Sequence, residues 1–478
     1  MSVNKNVTFR RKHRPVWYGM LCLVLITAAA ATVGLLPMQS NDLSSAESEG
    51  NYTLSGDGYE NEPYTVLEDL IAEINNSTGT DFTITVNADD IITPGLTLNG
   101  GKAVTLISSS DDPFALTIKI KYERHFTVDG GATLTLENII LDGNKTGGGI
   151  EVQASGELIM KDGAVIQDCE SFYDNGGGVH NSGTFEMYGG AVIQNCEIFY
   201  GNGGGVHNSG TFEMYGGAVI QNCESFNGNG GGVHNSGTFE MYGGEIRGNT
   251  ASYGGGVHND FQSKFAMNSG KIIGNTAGMY GGGVHNMSFS TFTMDGGEIS
   301  NGNTALSGGG VSNVSGTFTM DGGEISGNTA EHGGGVSNGS SFIMTGGVIT
   351  KNGDEINGKK ALRGGGVLNS GTFTMTLGEI SGNIADEGGG VYNSVGTFIM
   401  TGGEISNGNK ANEGGGVHNS GDFTMKGDAA ISSNKANEGG GVYNDYGGEV
   451  TMEGGEISGN TAGLAVVCTL LPSPLTSA

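Results

Sequence analysis

Short apolar runs alternate with glycine-rich turns through most of the chain, in blocks of about 27 residues. The clearest block is Asn202–Gly228, and Asn175–Gly201 before it differs at only two positions. Each block holds a Val-x-Asn run, a Phe-x-Met run and a third run centred on Val-Ile. Alternation of apolar and polar residues with a period of two is typical of strands, and Gly-Gly or Asn/Ser-Gly pairs are typical of turns. Three strands and three turns per block predict one coil of a parallel β-helix.

The valine after each glycine triplet marks the copies, which follow one another at intervals of 24 to 31 residues. These valines are Val179, Val206, Val233, Val257, Val284, Val311, Val336, Val367, Val391, Val417 and Val442. Helical spacing of apolar residues is absent from the blocks. The sequence therefore predicts an all-β, right-handed parallel β-helix with three short strands per coil and about twelve regular coils.

Residues at equivalent positions of a β-helix stack on one another, so a position that faces inward keeps its residue type from coil to coil. The positions that do so are Phe185, Phe212 and Phe239, then Met187, Met214 and Met241, and also Asn181, Asn208, Asn235, Asn259 and Asn286. We interpret the Phe and Met series as a stacked core. Because stacked amides can bond to the coils above and below, we interpret the asparagines as structural ladders.

The sequence pattern at the N-terminus is typical of an export segment. Five lysines and arginines lie within the first 14 positions, and the run Trp17–Leu36 is largely apolar and uncharged. Residues 1–46 are therefore predicted to be a signal peptide or, if uncleaved, a membrane anchor. Residues 47–63 are predicted to be a polar linker.

Residues 64–146 are predicted to form a capping helix and irregular first coils. Thr65 and Glu68 have capping-box spacing, and Val66, Leu67, Leu70, Ile71 and Ile74 form one apolar face. Such a helix would cover the open end of the first coil. Residues 147–462 are the predicted regular coils, and residues 463–478 are predicted to be an irregular tail.

The chain is acidic, with a formal net charge of −29. Nucleic acids and anionic membrane surfaces require basic patches, so neither is an expected partner, and contact with a membrane is expected only through residues 17–36. Glycine, 92 of 478 residues, is explained by the turns that each coil requires.

Three repeated side-chain series have residue types that can bind metal ions or form disulfides. The histidines are expected to face outward at a position that later coils fill with Ser, Leu or Tyr, so we expect polar tolerance rather than a metal site; they are His180, His207, His234, His258 and His285. Cys169, Cys196 and Cys223 stack and are expected to be buried free thiols, because parallel Cβ atoms suit a disulfide poorly. Glutamates recur at the third strand and are expected to form a solvated face, with Ca²⁺ bridging as the alternative. No cofactor is otherwise expected.

One coil is longer than the others, between Val336 and Val367. Insertions in solenoids map to surface loops that often bind partners. The candidate binding residues of this loop are Lys351, Asp354, Glu355, Lys359, Lys360 and Arg363. A solvated loop without a ligand is the alternative.

The repeated run GGGVHNSGTFTM-GGEISGNTA resembles the glycine-rich repeats of adhesin-like surface proteins of bacteria and archaea. It is also similar to the passenger repeats of polymorphic outer-membrane proteins, although their C-terminal barrel is lacking here. The resemblance implies a pectate-lyase-like β-helix at the cell surface or secreted. The expected function is a non-catalytic adhesin or surface-layer component that binds surface glycans or proteins of host or neighbouring cells. The alternatives are a polysaccharide lyase or hydrolase and a purely structural spacer; the oligomeric state is left open.

Overall fold

Successive blocks stack in register as coils of a right-handed parallel β-helix. The structure is a computed structural model that describes residues 50–93, 95–354, 360–463 and 468–470. Val179 pairs in parallel with Val206, and Val206 with Val233, so each marker valine lies beside the next. The predicted fold class is confirmed.

The Phe-x-Met runs form the first long sheet, which we call the Phe-Met sheet. An antiparallel hairpin, Tyr52–Gly56 and Tyr59–Tyr64, borders it. Its parallel strands are Asp81–Val86, Ala103–Ser108, Thr133–Glu137, Glu157–Met160, Thr184–Met187, Thr211–Met214, Thr238–Met241, Lys264–Met267, Thr291–Met294, Thr317–Met320, Ser341–Met344, Thr372–Met375, Thr397–Met400, Asp422–Met425 and Glu449–Met452.

The third runs form a second parallel sheet, the Val-Ile sheet. Its described strands are Asp90–Ile92, Ala115–Ile118, Ile140–Asp142, Val165–Gln167, Val192–Gln194, Val219–Gln221, Glu245–Arg247, Lys271–Ile273, Glu298–Ser300, Glu324–Ser326, Val348–Thr350, Glu379–Ser381, Glu404–Ser406, Ala430–Ser432 and Glu456–Ser458.

The Val-x-Asn runs form the third sheet, the Val-Asn sheet. Its described strands are Leu96–Leu98, Phe126–Val128, Ile150–Val152, Val179–Asn181, Val206–Asn208, Val233–Asn235, Val257–Asn259, Val284–Asn286, Val311–Asn313, Val336–Asn338, Val367–Asn369, Val391–Asn393, Val417–Asn419, Val442–Asn444 and Cys468–Leu470. The last strand lies within residues 463–478, which we predicted to be irregular. That prediction is wrong for these three residues, because their backbone continues the ladder beside Val442–Asn444.

A fourth, short sheet lies between the Val-Ile sheet and the glycine triplets and was not predicted. Its strands are Glu170–Ser171, Glu197–Ile198, Glu224–Asn229, Thr250–Tyr253, Thr276–Tyr280, Thr304–Ser307 and Thr329–His332. Farther along the chain, Lys435–Ala436 and Thr461–Ala462 pair at the corresponding place. The middle coils therefore have four strands rather than three.

The core is the predicted stack of side chains. Phe185 and Phe212 have parallel rings with centroids 4.6 Å apart, and the same stacking continues as far as Phe398 and Phe423 at 4.9 Å. The methionine two residues after each of these phenylalanines is also buried. Identical side chains in register thus fill the interior, as expected from the repeat.

The predicted helix is present as Leu67–Asn76, and Leu67, Leu70, Ile71 and Ile74 are buried. Asn75 ties it to the first strand of the Val-Asn sheet, since its Nδ2 donates to Thr97 O at 2.8 Å and its Oδ1 accepts from Asn99 N at 3.0 Å. The helix therefore packs on the first coil, as predicted.

The predicted capping box of Thr65 and Glu68 is wrong. The N-cap residue is Val66, without a side-chain hydrogen bond to the helix. Glu68 Oε1 instead accepts a hydrogen bond from the backbone N of Thr93 at 3.0 Å, so the glutamate serves a tertiary contact.

The predicted polar linker 47–63 is wrong from Tyr52 onward. Tyr52–Gly56 pairs antiparallel with Asp81–Val86 and with its hairpin partner. Tyr52 and Leu54 are buried, because they alternate with polar residues and face the core. Residues 47–49 lie outside the described part of the chain, as do the predicted export segment 1–46 and residues 464–467 and 471–478 of the tail. In the described ranges, no helix has the length and apolar character needed to cross a membrane.

Candidate functional site

Aromatic side chains, partly or largely exposed, stack on three consecutive coils within or directly after the first three strands of the fourth sheet. We call this the aromatic shelf; its residues are Phe172, Tyr173, Phe199, Tyr200 and Phe226. Tyr173 and Tyr200 have nearly parallel rings with centroids 5.8 Å apart, and Phe199 and Phe226 stack at 4.8 Å. Tyr173 is 74% exposed and Tyr200 is 60% exposed. Large aromatic rings thus face solvent in a column along the β-helix axis.

Turn geometry and an amide ladder set the position of the shelf. After the aromatic pair the chain must bend sharply into the Val-Asn sheet, and Gly203 makes the bend with a φ of 77°. A Cβ atom there would lie 2.3 Å from Val206 O, so only glycine fits. Between the coils, Asn175 Oδ1 accepts from Asn202 N at 2.9 Å, and Asn202 Oδ1 accepts from Asn229 N at 3.0 Å. The glycine turn and the asparagine bonds therefore fix where the aromatic rings of the shelf lie along the β-helix axis.

A polar cavity of about 270 Å³ adjoins the shelf at Tyr173. It is lined by Arg124, Glu151, Tyr173, Asp174, Asn175 and His180. Arg124 fixes the loop backbone, since its guanidinium donates to Asn175 O at 2.7 Å and to Gly176 O at 2.9 Å. With Arg124 committed to backbone carbonyls, the carboxylates of Glu151 and Asp174 remain as hydrogen-bond acceptors beside the exposed ring.

The histidine series stacks as predicted, but its members beyond His180 are buried, so the outward position that we predicted is not exposed to solvent. Ring centroids of neighbours lie 4.9 to 5.0 Å apart. His234, His258 and His285 are each 2% exposed. Tyr253 and Tyr280, the last residues of their strands in the fourth sheet, lie over His285 with ring centroids within 6 Å. These two strands of the fourth sheet, which we did not predict, therefore cover His285.

One carboxylate meets the histidine column. Asp260, directly after the strand Val257–Asn259, lies between His234 and His258. Hydrogen bonding to His258 holds the pKa of Asp260 well below its usual range, so its carboxylate is ionised. Burial lowers the pKa of His234 well below its usual value, so that imidazole is neutral and one of its two ring nitrogens has a free lone pair. Two imidazoles beside a carboxylate are a set of metal-ligand type.

Four of the six candidate binding residues in the long coil lie in the described part of the chain, and they do not form one cluster. Lys360 Nζ lies 2.6 Å from Asp386 Oδ1, and Arg363 Nε lies 3.0 Å from Glu387 Oε2, so both cations bind the following coil. Lys351 has a left-handed backbone at the turn. Asp354 O accepts from Thr329 Oγ1 at 2.8 Å, which ties the loop to the preceding coil. Glu355 and Lys359 lie outside the described residues, and a binding role of this loop stays a prediction.

The other predicted series lie where expected. Cys169, Cys196 and Cys223 are buried free thiols. On the Val-Ile sheet, the glutamate series is partly balanced, because Arg247 bridges to Glu245 at 3.1 Å and Lys271 to Glu298 at 3.3 Å. These pairs remove part of the repulsion that would have required a bridging cation.

Sequence reasoning missed the aromatic shelf and Asp260. Both have a signal in the repeat: the shelf is the Phe-Tyr pair before two glycine triplets, and Asp260 is an acid where neighbouring blocks have serine, as at Ser209 and Ser236. In both cases, a change of residue type at one position of the repeat marks the candidate site. The comparisons add no assignment, because the chain matches no family model, no curated protein and no solved structure with which it was compared. The resemblance to adhesin-like proteins therefore stays a prediction.

Proposed function

We propose that the protein is an exported, non-catalytic surface adhesin that binds glycans of host or neighbouring cells through the aromatic shelf. The observation that carries the proposal is the exposed stacked pair Tyr173 and Tyr200, 5.8 Å apart, on adjacent coils. Soluble proteins rarely leave several adjoining aromatic rings open to solvent unless the patch binds something.

The chemistry of the shelf favours a glycan. A tyrosine has an apolar ring face and a polar hydroxyl tip, and a sugar ring offers C–H groups on its face and hydroxyls at its rim. Parallel rings on adjacent coils would support consecutive sugar units along the β-helix axis. The acceptors of Glu151 and Asp174 in the adjoining cavity would accept hydrogen bonds from sugar hydroxyls.

Charge narrows the ligand class to neutral glycans. The chain has a net charge of −29, and the cavity contains two carboxylates, Glu151 and Asp174. Acidic polysaccharides would be repelled by this field. Neutral hexose chains would not be repelled. The basic segment before Trp17–Leu36 is consistent with export of the protein to the cell surface, where such glycans occur.

The test is a glycan array probed with the purified protein and with the double variant Tyr173→Ala/Tyr200→Ala. We expect binding to neutral glycans that falls at least tenfold in the variant, since each stacked ring contributes roughly 1 kcal/mol or more. Tyr446→Ala is the matched control, because Tyr446 is 71% exposed but lies far along the chain.

Three results would contradict the proposal. Binding that survives the double variant would place the ligand elsewhere, and no binding to any glycan would favour a structural spacer. Turnover of a polysaccharide, followed by ultraviolet absorbance of new double bonds or by reducing ends, would show an enzyme.

A further inference from the structure

We propose that His234, His258 and Asp260 form a binding site for one divalent transition-metal ion of the zinc type. The site is separate from the aromatic shelf, and the proposal does not depend on glycan binding. In the described part of the chain, this is the group of three histidine, cysteine or acidic side chains whose ligand atoms come within 4.8 Å of one another.

The carboxylate faces both imidazoles. Asp260 Oδ2 lies 3.6 Å from His234 Nε2, and Asp260 Oδ1 lies 3.8 Å from His258 Nε2. In a tetrahedral zinc site, with bonds of about 2.0 to 2.2 Å, neighbouring ligand atoms are about 3.4 Å apart. The two nitrogen–oxygen distances therefore need to shorten by only a few tenths of an ångström.

The imidazoles must turn for their lone pairs to converge, because the rings of His234 and His258 are stacked at 5.0 Å and 11°. The column accommodates such turning. The ring planes of His180 and His207 are 87° apart, and those of His258 and His285 are 60° apart, at the same centroid spacing. Rotation about the Cβ–Cγ bond thus leaves the strand register unchanged.

The free nitrogen of His234 is the second observation that indicates a ligand. His234 Nε2 is buried and has no hydrogen-bond partner. A buried polar atom without a partner is unfavourable and calls for an explanation. Coordination of a metal ion would give this nitrogen a partner.

The opposite nitrogens are already held, as metal-binding histidines require. His234 Nδ1 lies 3.4 Å from Ser236 Oγ, and His258 Nδ1 lies 3.1 Å from His285 Nδ1. Both residues therefore direct Nε2 toward Asp260.

The ligand set and its exposure select the kind of ion. Two imidazoles and a carboxylate suit Zn²⁺, Co²⁺, Ni²⁺ or Cu²⁺, whereas Ca²⁺ and Mg²⁺ prefer all-oxygen sites. The side chain of Asp260 is 37% exposed, and a cavity of about 300 Å³ reaches His258. An ion has a path from solvent, and water can fill the fourth position.

An aspartate follows the ladder asparagine at two places, Asp260 and Asp445, but the ring beside Asp445 in its own coil is Tyr443, so only Asp260 has a histidine both in its own coil and in the preceding one. In the other coils with a histidine at this position, the residue two places later is Ser182, Ser209, Ser236, Met287 or Ser420. None of these supplies a carboxylate. We therefore expect one ion per chain rather than a row of ions along the column.

The test is titration of the full chain, without a histidine tag and after chelator treatment, with Co²⁺ and then with competing Zn²⁺. We expect one equivalent of Co²⁺ with the visible absorption of a four-coordinate site, displaced by Zn²⁺. Asp260→Asn keeps the shape of the side chain, and His234→Ser inserts the residue that Ser312 supplies at the same position three strands farther along the sheet. Each should weaken binding at least tenfold while circular dichroism stays unchanged.

His418→Gln is the matched control, because His418 occupies the same strand position and lies 3.4 Å from Glu413. It should leave the affinity unchanged. Equal binding by the wild type and Asp260→Asn would overturn the proposal, as would a loss of binding in His418→Gln equal to that in His234→Ser. Absence of the four-coordinate cobalt spectrum in the wild type would also overturn it.

Discussion

Asn181 donates its side-chain amide to Oδ1 of Asn208 at 2.7 Å, across 27 residues of sequence and one coil of the β-helix. The same bond repeats from each coil to the next, and it reaches Asn444 through Asn419 at 2.8 Å. A second ladder of buried asparagines follows the Val-Ile sheet, as between Asn249 and Asn275 at 3.0 Å. The interior therefore has continuous amide columns alongside the phenylalanine stack.

Asn313→Ala should strongly destabilise the β-helix. Asn313 accepts from Asn286 at 2.9 Å and donates to Asn338 at 2.8 Å and to Ser341 O at 2.9 Å. Its removal leaves buried polar groups unpaired, each at a cost of about 1 to 3 kcal/mol. We expect a loss of about 2 to 4 kcal/mol in the free energy of unfolding, measured by urea denaturation.

Asn412→Ala is the control for that experiment, because Asn412 is exposed and its bonds to Asp386 and Asn437 are long. A change within about 0.5 kcal/mol is expected there. Equal losses for Asn313→Ala and Asn412→Ala would show that the ladder contributes no more than a surface amide.

The three stacked thiols should be unreactive in the folded protein. Cys169, Cys196 and Cys223 are at most 1% exposed, and burial raises the pKa of the Cys169 and Cys223 thiols. Because all three sulfur atoms are shielded from solvent, a thiol reagent should modify none of them until denaturant is added, and then all of them. A Cys22→Ser/Cys468→Ser background removes the other two cysteines. Fast labelling of the native protein would contradict the burial.

His125 should make the protein less stable below neutral pH. Its Nδ1 accepts from Gly149 N at 3.0 Å and its Nε2 lies 3.1 Å from Leu116 O, which fixes a neutral ring. Burial lowers the pKa of His125 from 6.5 to about 4, although the field of Asp142 opposes the shift. Between pH 6.5 and 4 the unfolded chain binds a proton that the folded chain does not, so stability falls as pH falls through this window.

The loss from His125 should total roughly 3 kcal/mol across the window, at 1.36 kcal/mol for each pKa unit. His125→Gln should reduce the slope of unfolding free energy against pH by about one proton, even if the variant is less stable at pH 7. Urea denaturation at several pH values measures the slope. An unchanged slope would show that His125 titrates normally in the folded protein.

The repeat predicted the fold because each inward position is occupied by one residue type in almost every coil. Phe212 and Met214 alternate with polar residues and recur in register, and no arrangement other than stacking buries both series. The strand bounds follow from the same alternation. This part of the structure needs no information beyond the chain itself.

The fourth sheet and the site residues could not be predicted in that way. Its first strands, such as Glu170–Ser171, have two residues, too few for a period to show. The burial of His285 depends on Tyr253 and Tyr280, which belong to strands of this sheet. Likewise, Tyr52–Gly56 is a strand because it pairs with Asp81–Val86. The polar composition of this segment gave no indication of that pairing.

Deletion of one whole block should give a folded, shorter β-helix. Removing Asn202–Gly228 joins Gly201 to Asn229 and places the strand Val233–Asn235 beside Val179–Asn181. The residues that become neighbours match those that are neighbours now: valine on valine, and phenylalanine on phenylalanine as at 4.6 Å for Phe185 and Phe212. No new side-chain type meets the core, so the energetic change is the loss of one coil's contacts.

The deletion variant should keep its far-UV circular dichroism and melt cooperatively, and small-angle scattering should show a rod shorter by about 4.8 Å. The control is a half-block deletion, residues 202–214, which would place a Val-Ile strand where a Val-Asn strand belongs and shift every later side chain out of register. That variant should aggregate or unfold locally. If instead both deletions behave alike, then register between coils does not determine the stability of this β-helix, and the stacked ladders are a consequence of the fold rather than its cause.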